Sequence, residues 1–281
     1  MNFWIGYLSC KYATWSLGLW GMFRIDDGEW VLDEILKRGI SIIAGTVFDR
    51  LISRTRVKEL KKNITELCKF LVKAKTSTRR MDNPYLVIID WGYKDRNRTV
   101  GNSRLAPRLD KVSRRQLSEN ICFIAKLAED VGVRPLIHPH VGEYIEFHDE
   151  IQEVVYYVCK NNVKLCIDTG HAFYAGINPI NMIAVYSDLI EYVHLKDFNL
   201  DAYLSCVRDK HDFFEACANG LTCAIGDGCL NYHGIIKALR DINYAGFLTV
   251  EIEKSPAQWR HALSQLTRSR EYLDQLLSTT Y

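Results

Sequence analysis

The stretch RPLIHPHVGEYIEF, residues 134–147, breaks off a short apolar run with two imidazoles and continues into two carboxylates. The run 135–137 has the composition of a buried strand, and His138 and His140 follow it immediately. The same change from apolar to polar occurs at three later places: Asp168 after KLCI, His194 after EYV and Glu251 after FLTV. Four strands that end alike predict one shared site at their carboxyl ends.

Strand-like and helix-like segments alternate over most of the chain. Short apolar or β-branched runs predict strands at 41–48, 85–92, 134–140, 163–171, 191–197 and 247–253. Helical composition and spacing predict helices at 28–39, 56–75, 114–132, 147–161, 179–190, 234–246 and 257–277. Such alternation, with strands that are apolar throughout, indicates a parallel sheet covered by helices.

The position of the polar residues favours a closed barrel over an open sheet. A (β/α)8 barrel draws its site from the carboxyl ends of several strands, as the four strand ends here require. An open doubly wound sheet concentrates its site at one switch point, usually after a glycine-rich turn, and the sequence contains neither GxGxxG nor a Walker motif. We therefore predict an α/β protein with a single (β/α)8 TIM-barrel domain over residues 1–281.

The front of the chain departs from that pattern. Six strands are clear, and residues 12–23 supply a poorly patterned seventh. Before residue 12 there is room for only a fragment of a first strand–helix unit, so we expect residues 1–27 to form an atypical front end. The barrel is predicted to be irregular or incomplete at its N-terminus.

Charge and cysteine usage narrow the class of protein. The 36 Lys and Arg residues and 34 Asp and Glu residues leave a net charge of +2, which gives no general electrostatic case for nucleic acid. Nine cysteines are scattered without a CxxC pair, which favours free thiols and a cytoplasmic location. The apolar opening MNFWIGYLSC is shorter than the ~20 residues of a membrane span, so we expect no membrane association.

The four strand ends offer a mixed set of nitrogen and oxygen ligands. Imidazole and carboxylate together suit a divalent metal such as Mn, Co, Zn or Mg. We predict a metal site formed by His138, Asp168, His194 and Glu251. A metal there would polarise an oxygen of the substrate and make a neighbouring carbon-bound proton more acidic.

A second group of polar residues lies just beyond the predicted ligands. His140 follows His138 by two positions and is the candidate proton acceptor, with Glu146 as the alternative from the loop. Lys196 follows His194 by two, lies on the same strand face, and could stabilise an enolate oxygen or move a proton.

Each of these residues also has a common structural role when it is considered alone. A strand-end histidine is often a buried structural residue, and an isolated lysine is usually a surface charge. Asp168 could cap a helix, and Asp227 could occupy a plain surface turn between two glycines. Glu251 and Glu253 alternate along their strand, and we expect one of them to be solvated. The coincidence at four strand ends favours the metal site.

Several of these stretches resemble the xylose-isomerase-like TIM-barrel superfamily, which includes sugar isomerases, epimerases, endonuclease-IV-like proteins and inosose dehydratases. The resemblance spans roughly residues 28–255 and is strongest to the inosose dehydratase branch, which has HxH-G, DTGH and VHLKD stretches in that order. The stretches that carry it are RPLIHPHVGEYIEF, KLCIDTGHAFYAGINP, EYVHLKD, IGDGCLNYHGII and GFLTVEIE.

The resemblance implies a divalent metal at the barrel mouth, held by one residue from each of four strands. Asp168, His194 and Glu251 match the motif positions directly, whereas His138 stands where many members carry a glutamate. Glu143 and Glu146 are the substitutes for that ligand if the metal is reached from the loop.

The resemblance also implies two substrate-binding residues and shows one departure from the family pattern. His171 of DTGH matches a residue that touches metal or substrate, and Asp227 lies in a loop near the site. At the front, Ser16 stands where a glutamate is expected.

Three functions follow from the sequence. The leading one is a metal-dependent lyase or isomerase that acts on a small polyol or keto-sugar, by dehydration, isomerisation or epimerisation. An endonuclease-IV-like nucleic-acid enzyme would need a basic groove and a metal cluster. Its candidate basic stretches, 50–63 and 108–116, have the pattern of solvated helix faces. The third is a catalytically impaired binding homologue with an altered front end.

Overall fold

The structure is a computed structural model that describes residues 4–9, 14–18, 28–39, 41–77, 82–254 and 259–278. Its strands are β1 (Trp4–Ser9), β2 (Thr14–Gly18), β3 (Ser41–Asp49), β4 (Tyr85–Asp90), β5 (Arg134–Ile137), β6 (Lys164–Asp168), β7 (Ile190–Leu195), β8 (Asp197–Phe198), β9 (Thr222–Cys223) and β10 (Phe247–Lys254).

The helices cover the outside of the sheet. They are α1 (Gly28–Lys37), α2 (Arg54–Ser77), α3 (Lys94–Asn97), α4 (Lys111–Glu129), α5 (His148–Val158), α6 (Thr169–Tyr174), α7 (Pro179–Val185), α8 (Leu200–Asp209), α9 (Phe213–Ala218), α10 (Tyr232–Asp241) and α11 (Trp259–Ser278). Their starts follow ordinary capping chemistry: the Asp110 side chain, for example, accepts a hydrogen bond from the Ser113 amide at the beginning of α4.

Eight strands form one curled sheet in the order β1-β10-β7-β6-β5-β4-β3-β2. From β2 to β10, seven neighbouring strands run parallel. The eighth, β1, pairs antiparallel with β10, and its Cα atoms approach those of β2 within 8 Å. The predicted barrel is confirmed, and so is its irregular front, since β1 closes the sheet in the opposite direction to the rest. The short β8 and β9 pair separately with each other.

The central strand β4 is apolar up to its last residue because both of its faces are buried. In β4, Leu86 and Ile88 pack into the large cluster between sheet and helices, whereas Tyr85, Val87 and Ile89 point into the barrel. Inside the barrel, Tyr85 and Tyr192 stack with ring centroids 5.4 Å apart. Fully burying such a large side chain contributes roughly 1.5–3 kcal/mol. The packed interior forms the floor beneath the polar rim.

The predicted strands and helices are present, with some changes of boundary. The predicted strand 134–140 ends at Ile137, and the predicted strand 163–171 ends at Asp168, where α6 begins. The poorly patterned stretch 12–23 contains β2 over Thr14–Gly18. These early ends leave the polar residues of the motifs on the rim instead of inside the sheet.

The described part of the chain is consistent with a protein without disulfides. The eight cysteines of the described residues are all free thiols, and the ninth, Cys10, lies outside those residues. None of the described helices combines the length and the apolar character needed to cross a bilayer.

Thiol titration tests the free cysteines. Protein purified without reductant and then denatured should expose at least eight reactive thiols per chain, because no described cysteine is bonded to another. The same protein after full reduction is the matched reference. A gain of two or more thiols on reduction would show a disulfide and would contradict the predicted reducing compartment.

Candidate metal centre

Four side chains converge at the carboxyl ends of β5, β6, β7 and β10. They are His138, Asp168, His194 and Glu251, and one ligand atom of each lies within 4.8 Å of the others. All four are buried, with at most 5% of each residue exposed. The parallel pairing explains the convergence, since Asp168 and His194 stand side by side in the β6–β7 register.

His138 and Asp168 are oriented by bonds to the backbone. Nδ1 of His138 lies 3.0 Å from the Cys166 carbonyl oxygen, so it carries the proton and leaves Nε2 as the acceptor. Oδ1 of Asp168 accepts a hydrogen bond of 2.8 Å from the His171 amide, which caps the first turn of α6. Oδ2 of Asp168 is buried and accepts no hydrogen bond from the described residues. Asp168 therefore caps a helix with one oxygen, and its other oxygen has no hydrogen bond but lies 3.5 Å from the Lys196 ammonium.

His194 and Glu251 are in direct contact across the rim. Nδ1 of His194 lies 2.8 Å from Oε2 of Glu251, and both side chains are buried. Burial alone would raise the pKa of Glu251, but the Lys196 ammonium and His194 hold it well below its usual range. Glu251 is therefore a carboxylate.

The donor set fits a divalent metal ion. Two imidazoles and two carboxylates on one rim are the ligand types of Zn, Mn and Co sites, and hydrogen bonds behind such ligands fix their orientation. The unbonded Asp168 oxygen is the feature that such an ion would satisfy. Cys166 precedes Asp168 by two residues on β6, one layer lower in the barrel. Its sulfur lies within 4.8 Å of a ring nitrogen of His138 and of His194.

A second cluster lies beside the first. His140, His171 and Glu253 bring their ligand atoms within 4.8 Å of one another, and all three are buried. The rings of His140 and His171 have centroids 3.8 Å apart. Nδ1 of His140 lies 2.8 Å from the Val141 carbonyl oxygen, which places its proton there and leaves Nε2 as a base. The second histidine of HxH, His140, and the histidine of DTGH, His171, are therefore in contact.

Lys196 connects the two clusters. Its Nζ lies 3.0 Å from Nε2 of His171 and 3.5 Å from Oδ2 of Asp168, in a fully buried position. Burial would lower the pKa of Lys196, but the carboxylates of Asp168, Glu251 and Glu253 raise it above its ordinary value. Lys196 therefore stays protonated and acts as a fixed positive charge. Of its two predicted roles, the structure supports charge stabilisation over proton transfer.

Gly170 of DTGH makes this close packing possible. A Cβ atom at Gly170 would lie 2.8 Å from Cβ of Lys196 and 2.9 Å from Cζ of Phe198. No side chain fits there without displacing the lysine, so the glycine allows α6 to pack against β7.

The expectation that either Glu251 or Glu253 is solvated is wrong. Both are buried, because residues two apart on a strand point to the same face. Burial raises the pKa of Glu253 to about 7, and the Lys196 ammonium limits the rise. The i, i+2 spacing was the signal that should have placed Glu253 at the site.

An aromatic wall encloses the second cluster. The Phe213 ring lies 4.9 Å from that of His171 and 5.6 Å from that of His140, measured between centroids. On another side, Phe48 stacks on Trp91 at 4.7 Å and meets His140 at 5.6 Å. Phe213 begins a short helix outside the strand ends and belongs to no motif, so its position beside the histidines could not be predicted from the sequence.

A sequence model of one family, the xylose isomerase-like TIM barrel, matches residues 57–269 of this 281-residue chain. The chain belongs to that family. The predicted family is therefore confirmed, and the match includes all four metal-ligand candidates.

The curated relatives of this xylose isomerase-like protein include inosose dehydratases. That of Geobacillus kaustophilus (strain HTA426) is 31% identical over 180 residues, covering 64% of this chain and 58% of the relative. That of Bacillus licheniformis is 25% identical over 235 residues, covering 84% and 76%. The chain spans between 47% and 58% of the length of three of the curated inosose dehydratases it matches.

Solved structures share the fold of this xylose isomerase-like protein at low sequence identity. A probable 3-DHS dehydratase from Bacillus anthracis gives a TM-score of 0.66 at 14% identity, with 94% of this chain and 89% of that chain covered. A 3-keto-D-glucoside 4-epimerase from E. coli gives 0.59 at 18% identity, with 90% and 85% covered.

Glu146 was predicted to reach the site from the loop after β5, but its described contacts are with a buried arginine and the backbone. It forms an ion pair with the buried Arg96 guanidinium at 3.1 Å and accepts hydrogen bonds from the Gly101 and Gly142 amides at 2.6 and 3.0 Å. Arg96 also binds Glu150 at 2.9 Å. These contacts hold the loop after β5, so the structure favours a structural role for Glu146 over proton transfer or metal binding.

Glu143 and Asp227 also lie apart from the four ligands in their described contacts. Glu143 is buried, and burial and the neighbouring Asp90 raise its pKa well above its usual range. Asp227 is half-exposed and forms an ion pair of 2.8 Å with Arg268 on α11. The loop around it is held by Asp197, which accepts hydrogen bonds from the Gly226 and Gly228 amides. Substrate binding by Asp227 stays a prediction.

Unfolding of an arginine variant tests the structural role of Glu146. Arg96→Met should lower the free energy of unfolding by about 3–5 kcal/mol, because it leaves the buried Glu146 without a cation and leaves Glu150 with only the partly exposed Arg108. Arg115→Met removes an exposed partner of Glu119 and should cost no more than about 0.5 kcal/mol. Equal urea midpoints for both variants would show that the Arg96 cluster is not a buried structural unit.

Proposed function

We propose that this protein is a divalent-metal-dependent enzyme that removes a proton beside a carbonyl of a small keto-polyol, with dehydration as the overall reaction. The observation that carries the proposal is the ring of His138, Asp168, His194 and Glu251, in which one buried Asp168 oxygen accepts no hydrogen bond. The named relatives favour an inosose as substrate and dehydration as reaction.

A divalent ion held by the four ligands would polarise the substrate carbonyl and make the neighbouring C–H bond more acidic. The chain's own residues provide the remainder of the chemistry. Nδ1 of His138 is bonded to the Cys166 carbonyl and Oδ1 of Asp168 accepts from the His171 amide. These two bonds leave Nε2 of His138 and Oδ2 of Asp168 as the ligand atoms. Binding therefore requires little rearrangement of the rim.

His140 is the proposed proton acceptor. Its Nδ1 proton is donated to the Val141 carbonyl, which leaves the Nε2 lone pair available on the side of the second cluster. Burial and the Lys196 ammonium lower the pKa of His140 to about 3, so the imidazole is neutral at physiological pH. The same shift weakens His140 as a base. The negative charge that develops on the enolate next to Lys196 would offset part of that effect.

Glu253 is the competing proton acceptor. Its pKa is raised by burial to about 7, which matches the working pH of a general base better than that of His140 does. Its Oε2 atom is already 3.3 Å from the Lys196 ammonium and accepts a hydrogen bond from the Cys217 thiol at 3.3 Å. Those contacts orient Glu253 toward the lysine, and we retain His140 as the first candidate.

In the proposed reaction the electrons of the broken C–H bond form an enolate, whose negative charge lies near the fixed charge of Lys196. Collapse of the enolate breaks the C–O bond at the next carbon, and the departing hydroxide takes the proton that His140 accepted and leaves as water. Return of a proton to the opposite face of the same carbon would instead give an epimer. Both outcomes share the first step, and the substrate decides between them.

The lining of the site indicates the substrate class. Its polar residues are buried, Phe48 contacts His140, Phe213 contacts both histidine rings, and Trp91 stacks on Phe48. Aromatic faces suit the C–H faces of a cyclic polyol, and hydroxyl groups would meet imidazoles and the lysine. A small keto-polyol is the class that uses both.

A nucleic-acid enzyme is less well supported. Arginines of both basic stretches are engaged in ion pairs, as in Arg56 with Asp49 at 2.8 Å and Arg114 with Glu153 at 2.9 Å. A phosphate backbone needs basic groups that are not already neutralised by carboxylates. A catalytically impaired homologue that binds metal but does not turn over remains the third candidate, and a substrate panel of inososes and ketoses separates it from the enzyme.

Metal analysis tests the proposed ligands. Asp168→Asn and Glu251→Gln should each reduce bound Mn, Co or Zn from about one ion per chain to nearly none, because each removes a charged ligand. Asp227→Asn is the matched control and should keep the wild-type content, since Asp227 is a surface residue. Wild-type content in both ligand variants, with unchanged circular dichroism, would rule out this centre.

Isotope exchange tests the proton acceptor. His140→Gln should keep its metal but lose about 10²- to 10⁴-fold in turnover, together with exchange of the substrate's acidic C–H for solvent deuterium. His148→Gln changes an exposed histidine and should leave both unchanged. If exchange persists at the wild-type rate in His140→Gln and disappears in Glu253→Gln, the base is Glu253.

A further inference from the structure

Three buried carboxylates surround one ammonium group at the rim. Nζ of Lys196 lies 3.3 Å from Oε2 of Glu253, 3.5 Å from Oδ2 of Asp168 and 3.6 Å from Oε1 of Glu251. The lysine side chain is fully buried, and each carboxylate side chain is at most 5% exposed. Charges at this depth must be neutralised inside the protein, because water cannot reach them.

The formal charges of this group fit one divalent ion. Three carboxylates and one ammonium leave two negative charges, which a single divalent ion at the first cluster neutralises. Without Lys196 the same carboxylates would leave three negative charges, more than one divalent ion supplies. The lysine is therefore the third positive charge of the site.

Lys196 also occupies a position that has metal ligands around it. The second cluster of His140, His171 and Glu253 has the residue types and the mutual distances of a metal site. Two of its members contact the ammonium directly: Nε2 of His171 at 3.0 Å and Oε2 of Glu253 at 3.3 Å. Asp168, which touches the same ammonium, belongs to the first cluster and could bridge both.

We propose that Lys196 holds the place of a second divalent ion and thereby keeps the metal centre mononuclear. Removing its ammonium should open a second metal site formed by His140, His171 and Glu253, with Asp168 as the bridging carboxylate. The inference rests on the proposed first metal site, which supplies the other bridged ion. It assigns the lysine a role in deciding how many ions the rim binds, in addition to its charge near the enolate.

The lysine is held in this position from several directions. Its amide donates a hydrogen bond to the Thr169 hydroxyl at 2.9 Å, and its carbonyl accepts one from the Tyr232 hydroxyl at 3.0 Å. Its Nζ lies 5.4 Å from the centre of the Phe213 ring, within the range of a cation–π contact. A cation fixed so closely would exclude a metal ion by both space and charge.

The test is the metal stoichiometry of lysine variants loaded with Mn²⁺ and then freed of excess metal. Wild type should hold one ion per chain, and Lys196→Ala should hold two. Two Mn²⁺ ions that share a carboxylate lie about 3.5–4 Å apart, so the Lys196→Ala spectrum should show the magnetic coupling of a pair. Adding His171→Ala or Glu253→Gln to Lys196→Ala should return the count to one.

Lys254→Ala is the matched control. Lys254 is also buried and follows Glu253 directly, but its ammonium binds the Thr222 carbonyl, so its removal should leave one ion. If Lys196→Ala does not fold on its own, it and Lys196→Gln are refolded in excess Mn²⁺, where the proposal again predicts two ions.

The remaining outcomes are distinct. One ion in folded Lys196→Ala overturns the inference and leaves the first site intact. No ion in that variant, with one in wild type, overturns it as well and makes the lysine a requirement of the first site. No ion in wild type contradicts the proposed metal centre itself.

Discussion

Buried negative charge is the constraint on which the rim of this barrel depends. Asp168, Glu251 and Glu253 lie within 3.6 Å of the Lys196 ammonium, beneath a surface that excludes water. Isolated carboxylates in such a place would take up protons, and the raised pKa values of Asp168 and Glu253, about 6 and 7, show that tendency. The lysine holds part of the charge in its ionised form, and a divalent ion at the four-ligand ring completes the neutralisation.

The fold produces this concentration of charge because parallel strands end at the same rim. Apolar residues fill the barrel below, with the stacked Tyr85 and Tyr192 as part of the floor, and the four ligand candidates stand at or near the carboxyl ends of their strands. The short helix α6 then returns over the rim and uses Asp168 as its cap. Stability and chemistry thus share the same side chains: the cap that begins a helix also orients a proposed metal ligand.

The parts that the sequence predicted are those set by local patterns. Apolar runs with polar ends located the strands, their common direction and the four ligand candidates. Contacts between distant parts of the chain could not be predicted in the same way. Glu146 looked available until Arg96, fifty residues earlier, proved to bind it, and Phe213 reaches the histidines from a helix without a motif. The reversed β1 depends on pairing with the far end of the chain. Glu253 was predictable, since period two places it beside Glu251.

X-ray absorption at the metal edge of the cobalt- or zinc-loaded protein tests the central claim most directly. The account predicts a first shell with two imidazoles, from His138 and His194, and carboxylate oxygens at about 2.0–2.2 Å. It predicts no sulfur at about 2.3 Å, because Cys166 lies one layer below the ring. A shell with one imidazole would indicate that a loop glutamate binds the metal in place of His138. A shell with sulfur would indicate that the ion lies lower in the barrel, at Cys166. Either result would contradict the four-residue centre described here.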